Sequence, residues 1–124
     1  MCPVYINRIA SIHAESSNKK PYFSAQEPDY KEMITNANLR RRMSRMIKMG
    51  VACGLECLKD IPPEKVDAII TATGLGCLAD TEKFMNALMD NREQLLNPTA
   101  FIQSTFNTIG AQIALLLKIH AYNV

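Results

Sequence analysis

The sequence has no long hydrophobic run, no secretory leader and no strong excess of either charge. Its best apolar stretch, Ile113 to Leu117, is far short of the roughly 20 residues that span a bilayer. The opening residues, MCPVYINRIASIHAESSNKK, hold neither an apolar segment of leader length nor a small-residue cleavage site. Lys+Arg 14 against Asp+Glu 12 leaves a net charge of +2. So weak a balance argues against nucleic acid as the main partner and against strong attraction to a membrane surface. The cysteines, Cys2, Cys53, Cys57 and Cys77, lack disulfide-scaffold spacing. A cytoplasmic, reducing setting with free thiols is therefore expected. What is present is ordinary globular composition, 48% apolar and 21% charged, in 124 residues. That length allows one domain and excludes a disordered or collagen-like chain.

Along the chain, Val4–Ala14 alternates apolar residues at Val4 and Ile6 and, after a shift near Asn7-Arg8, at Ile9 and Ile12. This reads as a strand. Glu15–Glu32 is polar, holds Pro21 and Pro28, and reads as a long loop. Residues 39–59 read as one helix capped by Asn38, with Met43, Met46, Ile47, Gly50, Val51, Gly54 and Leu58 on one stripe. Arg41, Arg45, Lys48, Glu56 and Lys59 fall opposite, and Pro62-Pro63 ends the segment. Arg40 falls near the apolar side, where a buried pairing best explains it.

Val66–Thr73 reads as a strand buried on both faces. After Gly74-Leu75-Gly76, Asp80 or Thr81 is expected to cap a helix to about Asn91, buried through Phe84, Met85, Leu88 and Met89. Asn97-Pro98 reads as a turn. A final helix, about Thr105 to Ala121, has Lys118 as its only formal charge. At about 25 Å it is too short to cross a membrane, yet it is apolar nearly all round, so it asks for cover on several sides. Two strands cannot shield it. More chain or a partner is expected to supply the rest, and an exposed apolar sheet edge should make the chain associate.

Three motifs carry a chemical reading beside a plainer one. Gly74-Leu75-Gly76-Cys77-Leu78-Ala79 fits G-x-G-x-x-A between a strand and a helix, the pattern of a dinucleotide-binding turn. A second strand ending in an acidic residue should follow, but Leu95-Leu96-Asn97-Pro98 is a poor strand. Residues Arg40 to Lys48 form the densest basic stretch, either an acidic-partner surface or a solvated helix face. Cys53-x-x-x-Cys57 lies one helical turn apart without a second Cys/His pair of metal-finger spacing, so small packed thiols are expected. Cys77 precedes a helix start, where a thiolate is favoured, but no general base is evident nearby. His13 and His120 stand alone.

Taken in order, Leu39-Arg40-Arg41-Arg42-Met43-Ser44-Arg45, then VDAIITATGLGCLADTEKF, then Asn97-Pro98 through Asn107 and Ile109-Gly110-Ala111-Gln112-Ile113-Ala114 resemble the N-terminal half of β-ketoacyl synthases. These are the condensing enzymes of the thiolase-like superfamily, and the variant looks like the one beside aryl-polyene or flexirubin-type pathways. The resemblance implies an α/β fold, the N-terminal part of a layered thiolase-like architecture with an incomplete mixed sheet. The last helix would lie between sheets.

The resemblance further implies fatty-acid or polyketide-type elongation by decarboxylative condensation, with no cofactor. Acyl carrier protein and a homo- or heterodimeric synthase subunit would be the partners, without nucleic acid or membrane. Cys77, Leu78 and Thr81 would lie near an acyl pocket and dimer seam, and Arg41, Arg45 and Lys48 would face the acidic carrier. The family's catalytic cysteine and its histidine or asparagine partners match no residue here. Residues 1–124 are thus expected to be an N-terminal domain truncated before the nucleophile turn, with no catalytic residue assigned. A non-catalytic subunit resembling a chain-length factor, and a nucleotide-binding module, are the alternatives.

Overall fold

The computed structural model describes residues 3–14 and 24–124. The first half of the expected loop over 15–32 lies outside the described residues. Its end does not stay irregular: Asp29 accepts from the Lys31 N–H and caps a one-turn helix α1, Tyr30–Met33.

The helix expected over 39–59 is two helices. α2 spans Ala37–Arg42 and α3 spans Arg45–Leu58. Asn36, not Asn38, is the first cap, accepting from the Leu39 N–H at 3.1 Å. Met43 leaves the helical region, with φ −73 and ψ 134, and its side chain is buried. Ser44 then restarts the chain as N-cap of α3. The break separates two jobs. Three arginines end α2, where positive charge suits the helix dipole, while α3 turns Ile47, Val51 and Ala52 into the core.

α3 packs on α6, Thr108–Leu117. Gly50 and Gly54 permit the close approach: a Cβ at Gly50 would lie 2.8 Å from Ile109 Cγ2, and one at Gly54 would meet Ile113. Ile34, Met43, Ile47, Val51, Cys77 and Ile113 form the buried cluster. α6 is shorter than the sequence suggests. Asn107 stands at its N-cap, and Lys118 ends it in the left-handed region at φ 55.

The strands are short. β1, Ala68–Ile69, pairs in parallel with β2, Tyr122–Asn123. The pairing continues with Val124 N–H to Ile69 O at 3.0 Å and Thr71 N–H to Val124 O at 2.7 Å. Both strands lean on Gly110, where a Cβ would press on Asn123 and Thr71. The segment around β1 is covered on one face only, because Ile70 is 77% exposed; burial on both faces is corrected here. α6 is covered by α3 and by this small sheet, while Ala111 and Leu115 face water. Parallel pairing with helices against one face makes the fold α/β, with the expected incomplete sheet.

Val4–Ala14 forms no strand. Apart from one antiparallel bridge, Ala14 to Ala25, it joins no ladder among the described residues, and Val4, Tyr5, Ile6 and Ile9 are exposed. Alternation alone does not make a strand; it needs a second strand alongside to complete its ladder. Arg8 ties this arm down instead: Nη1 donates to the carbonyls of Lys59 at 2.7 Å and Glu56 at 3.3 Å, at the end of α3. Its other amino group lies 3.7 Å from Asp60.

α4, Leu78–Asp90, and α5, Pro98–Ser104, complete the helices. The Asn97-Pro98 turn is the start of α5: Asn97 accepts from the Thr99 N–H at 2.9 Å and Pro98 takes the first helical position. Phe84 of α4 and Phe101 of α5 pack tilted, with ring centroids 5.5 Å apart. The expected buried face of α4 holds only in part. Phe84 and Leu88 are half-buried, but Met85 and Met89 are exposed because no further layer lies outside them. No single helix among the described residues is long and apolar enough to cross a membrane.

Candidate functional site

The turn after β1 is built by two residues without Cβ. Gly76 has φ +61, a conformation that glycine adopts without penalty, and its N–H donates to Thr73 Oγ1 at 3.0 Å. The chain then enters α4 with Cys77 as N-cap; neither Asp80 nor Thr81 fills that place. The Cys77 carbonyl accepts from the N–H groups of Asp80 and Thr81, both at 2.9 Å. Thr81 Oγ1 lies 3.2 Å from the same carbonyl and 3.4 Å from the Ser104 carbonyl, joining α4 to the end of α5.

Beside this turn lies an apolar cleft of about 400 Å³, walled by Met46, Met49, Leu75, Cys77 and Leu78. Two of the three residues expected at an acyl pocket, Cys77 and Leu78, line it. Thr81 does not, because its hydroxyl faces the α4–α5 contact. Asp80 and Ser44 also line the cleft, and their Oδ2 and Oγ atoms are buried without a hydrogen-bond partner. Sequence reasoning treats Asp80 only as a cap, and an acidic residue in a first helical turn gives no other signal.

Burial pushes the Cys77 thiol up, and the Asp80 carboxylate adds to this, opposite to the lowering expected at a helix start. Cys53 is likewise raised, by burial first and then by neighbouring Cys57. Cys53, Cys57 and Cys77 are free; Cys2 lies outside the described residues. The strand required by the dinucleotide reading is missing, since residues from Pro98 form helix α5. That reading is corrected.

The basic face is divided. Arg41 and Lys48 line a groove of about 490 Å³ between α1, α2 and α3, together with Lys31 and Arg40. Arg40 turns inward and donates to the carbonyl of fully buried Ile34, the pairing its position predicts. Arg45 is held elsewhere. Its Nε donates to Glu27 Oε1 at 2.5 Å, while Tyr30 Oη donates to Glu27 Oε2 at 2.6 Å. The Tyr30 and Arg45 hydrogen bonds hold the Glu27 carboxyl below its usual range. Burial and the Glu27 hydrogen bond push the Tyr30 phenol up. Of the three expected carrier-facing cations, the groove therefore gathers Arg41 and Lys48.

A family model described as the N-terminal domain of β-ketoacyl synthase matches residues 13–122. No curated protein matches the chain.

Proposed function

The chain belongs to the β-ketoacyl synthase family through its N-terminal domain, and from that premise we propose that it serves acyl-chain elongation on acyl carrier protein. The family match over residues 13–122 is the observation that carries this reading. Condensing enzymes of this kind join acyl units through thioesters. The finer assignment is to fatty-acid or polyketide-type decarboxylative condensation in the cytoplasm.

In this reading the cleft beside Cys77 and Leu78 takes part of the acyl chain. Its methionine and leucine walls offer an apolar chain favourable burial, and the flexible thioethers of Met46 and Met49 adapt to its shape. Thr81 fixes the entrance of α4 from behind, and the same turn borders the dimer seam. Arg41 and Lys48 present positive charge to the acidic carrier, a contact that accelerates encounter more than it deepens affinity.

No residue of this chain is assigned to catalysis. Cys53 and Cys77 are held toward the thiol form, whereas acyl transfer needs a thiolate. The attacking cysteine of a condensation is accordingly not placed on Cys53 or Cys77. The apolar cleft beside Cys77 also suits a second reading, a non-catalytic subunit that shapes the acyl tunnel of a synthase partner. Titration of the full chain with octanoyl-loaded acyl carrier protein tests both. Saturable binding is expected; absence of binding, with and without a synthase subunit, overturns them. A change in product length when the chain is added to an active synthase selects the second.

A further inference from the structure

The groove lined by Lys31, Arg40, Arg41 and Lys48 brings cations from three helices together, while Arg45, on the same helix as Lys48, is taken by Glu27. Lys31 was not marked by the sequence, because it stands outside the basic stretch and reaches the groove only through α1. Asp29 lies in the same wall, but its carboxylate already accepts the Lys31 N–H as the cap of α1. Arg40 is engaged by the Ile34 carbonyl. Among the described residues, the groove cations without a hydrogen-bonded acceptor are Lys31, Arg41 and Lys48, the last of which also lies within reach of the Glu27 charge.

Glu27 is held at two points, by Arg45 and by Tyr30. The Arg45 side chain remains 65% exposed although its Nε is engaged. Arg45 borders the apolar cleft rather than the groove, and an acidic surface reaching across α3 from the groove meets it already neutralised by a carboxylate, the chemistry that this surface would itself offer. Resting on the carrier reading above, we propose that Lys31 belongs to the carrier-binding surface and that Glu27 is a built-in competitor that keeps Arg45 out of it.

The test is titration of the full chain with holo acyl carrier protein at low salt. Lys31→Ala and Arg41→Ala each weaken binding. Glu27→Gln strengthens it by about two- to fivefold, the range of one exposed ion pair, and adding Arg45→Ala to Glu27→Gln removes the gain. Tyr30→Phe, which releases one of the two holds on Glu27, gives a smaller gain and serves if Glu27→Gln does not fold. A purely structural role for the Glu27–Arg45 pair predicts weaker or equal binding from these changes. Equal or weaker binding of both Glu27→Gln and Tyr30→Phe, or a gain that persists without Arg45, overturns the competitor role while leaving the carrier reading intact. Unaltered affinity in Lys31→Ala removes Lys31 from the surface. If wild-type chain fails to bind carrier, or Arg41→Ala and Lys48→Ala both leave affinity unaltered, the carrier reading itself falls, and this inference with it.

Discussion

The contact between α3 and α6 and the arm over residues 3–13 carry similar apolar residues but meet opposite fates. In the first, Gly50 and Gly54 let Ile109 and Ile113 approach the backbone of a neighbouring helix, and Ile47 and Val51 are fully buried. In the second, Val4 is 95% exposed, and Arg8 ties the arm to the end of α3. The difference is backbone satisfaction. A helix closes its own hydrogen bonds and needs only a surface to pack on, whereas a strand needs a neighbour before its side chains count. Apolar character decides burial only where the backbone has already been satisfied.

The largest effect expected from this contrast is in the helix pair. Ile47→Ala removes a fully buried side chain and should cost about 2–5 kcal/mol, read by urea denaturation. A loss as small as a surface substitution would break the comparison. Arg8→Ala should cost less, about 0.3–1 kcal/mol for a cation at a helix C-terminus. Proteolysis within residues 3–12 should speed up, while the core signal barely moves.

Ile70→Lys sharpens the same contrast at the sheet. Ile70 is 77% exposed, so stability should change by no more than about 0.5 kcal/mol. Self-association measured by light scattering should fall, since a charge on an exposed strand blocks edge pairing. Unaltered association would mean that the apolar edge beside β1 is not what draws copies together.

The smallest effect concerns the Glu27–Arg45 contact. The folded carboxyl of Glu27 is lowered from its reference of 4.5, so its contribution is complete above that value. It is lost as pH falls through the lower folded value, because acid adds a proton that the folded pair disfavours. Glu27→Gln should flatten the stability profile only in that acidic window. The gap between the two proteins should be full at neutral pH and close as pH falls through that window; a gap that stays constant into acid would contradict it.

The helices were legible where periodicity and caps agree. The stripe from Ile47 to Val51 and the end of α3 ahead of Pro62-Pro63 follow from spacing and proline chemistry, while the two glycines on that stripe admit the Ile109 and Ile113 side chains rather than another backbone. Arg40 was legible too, as a charge on the wrong side of its helix. The break at Met43-Ser44 was not, because no proline or glycine marks it and a serine cap inside a helical pattern reads as continuous helix. α5 was missed because Asn-Pro opens a helix or a turn with equal ease.

At the candidate site, Cys77 and Leu78 stood out through the glycine turn, but Asp80, Ser44 and Lys31 did not. Their roles depend on which elements meet, and no local pattern encodes that. The apolar circumference of α6 was visible in the sequence. Its actual cover, α3 and two short strands with Ala111 and Leu115 left bare, depended on how much of the expected strand length found a partner.

Amide hydrogen exchange on the full chain tests most directly the claim that stability is concentrated where helices, not unpaired strands, bury the apolar residues. Amides in the interiors of α3 and α6 should share the slowest, global opening, while those of residues 4–12 should exchange almost as fast as in an unstructured peptide. Protection of the arm equal to that of α3 would contradict the account.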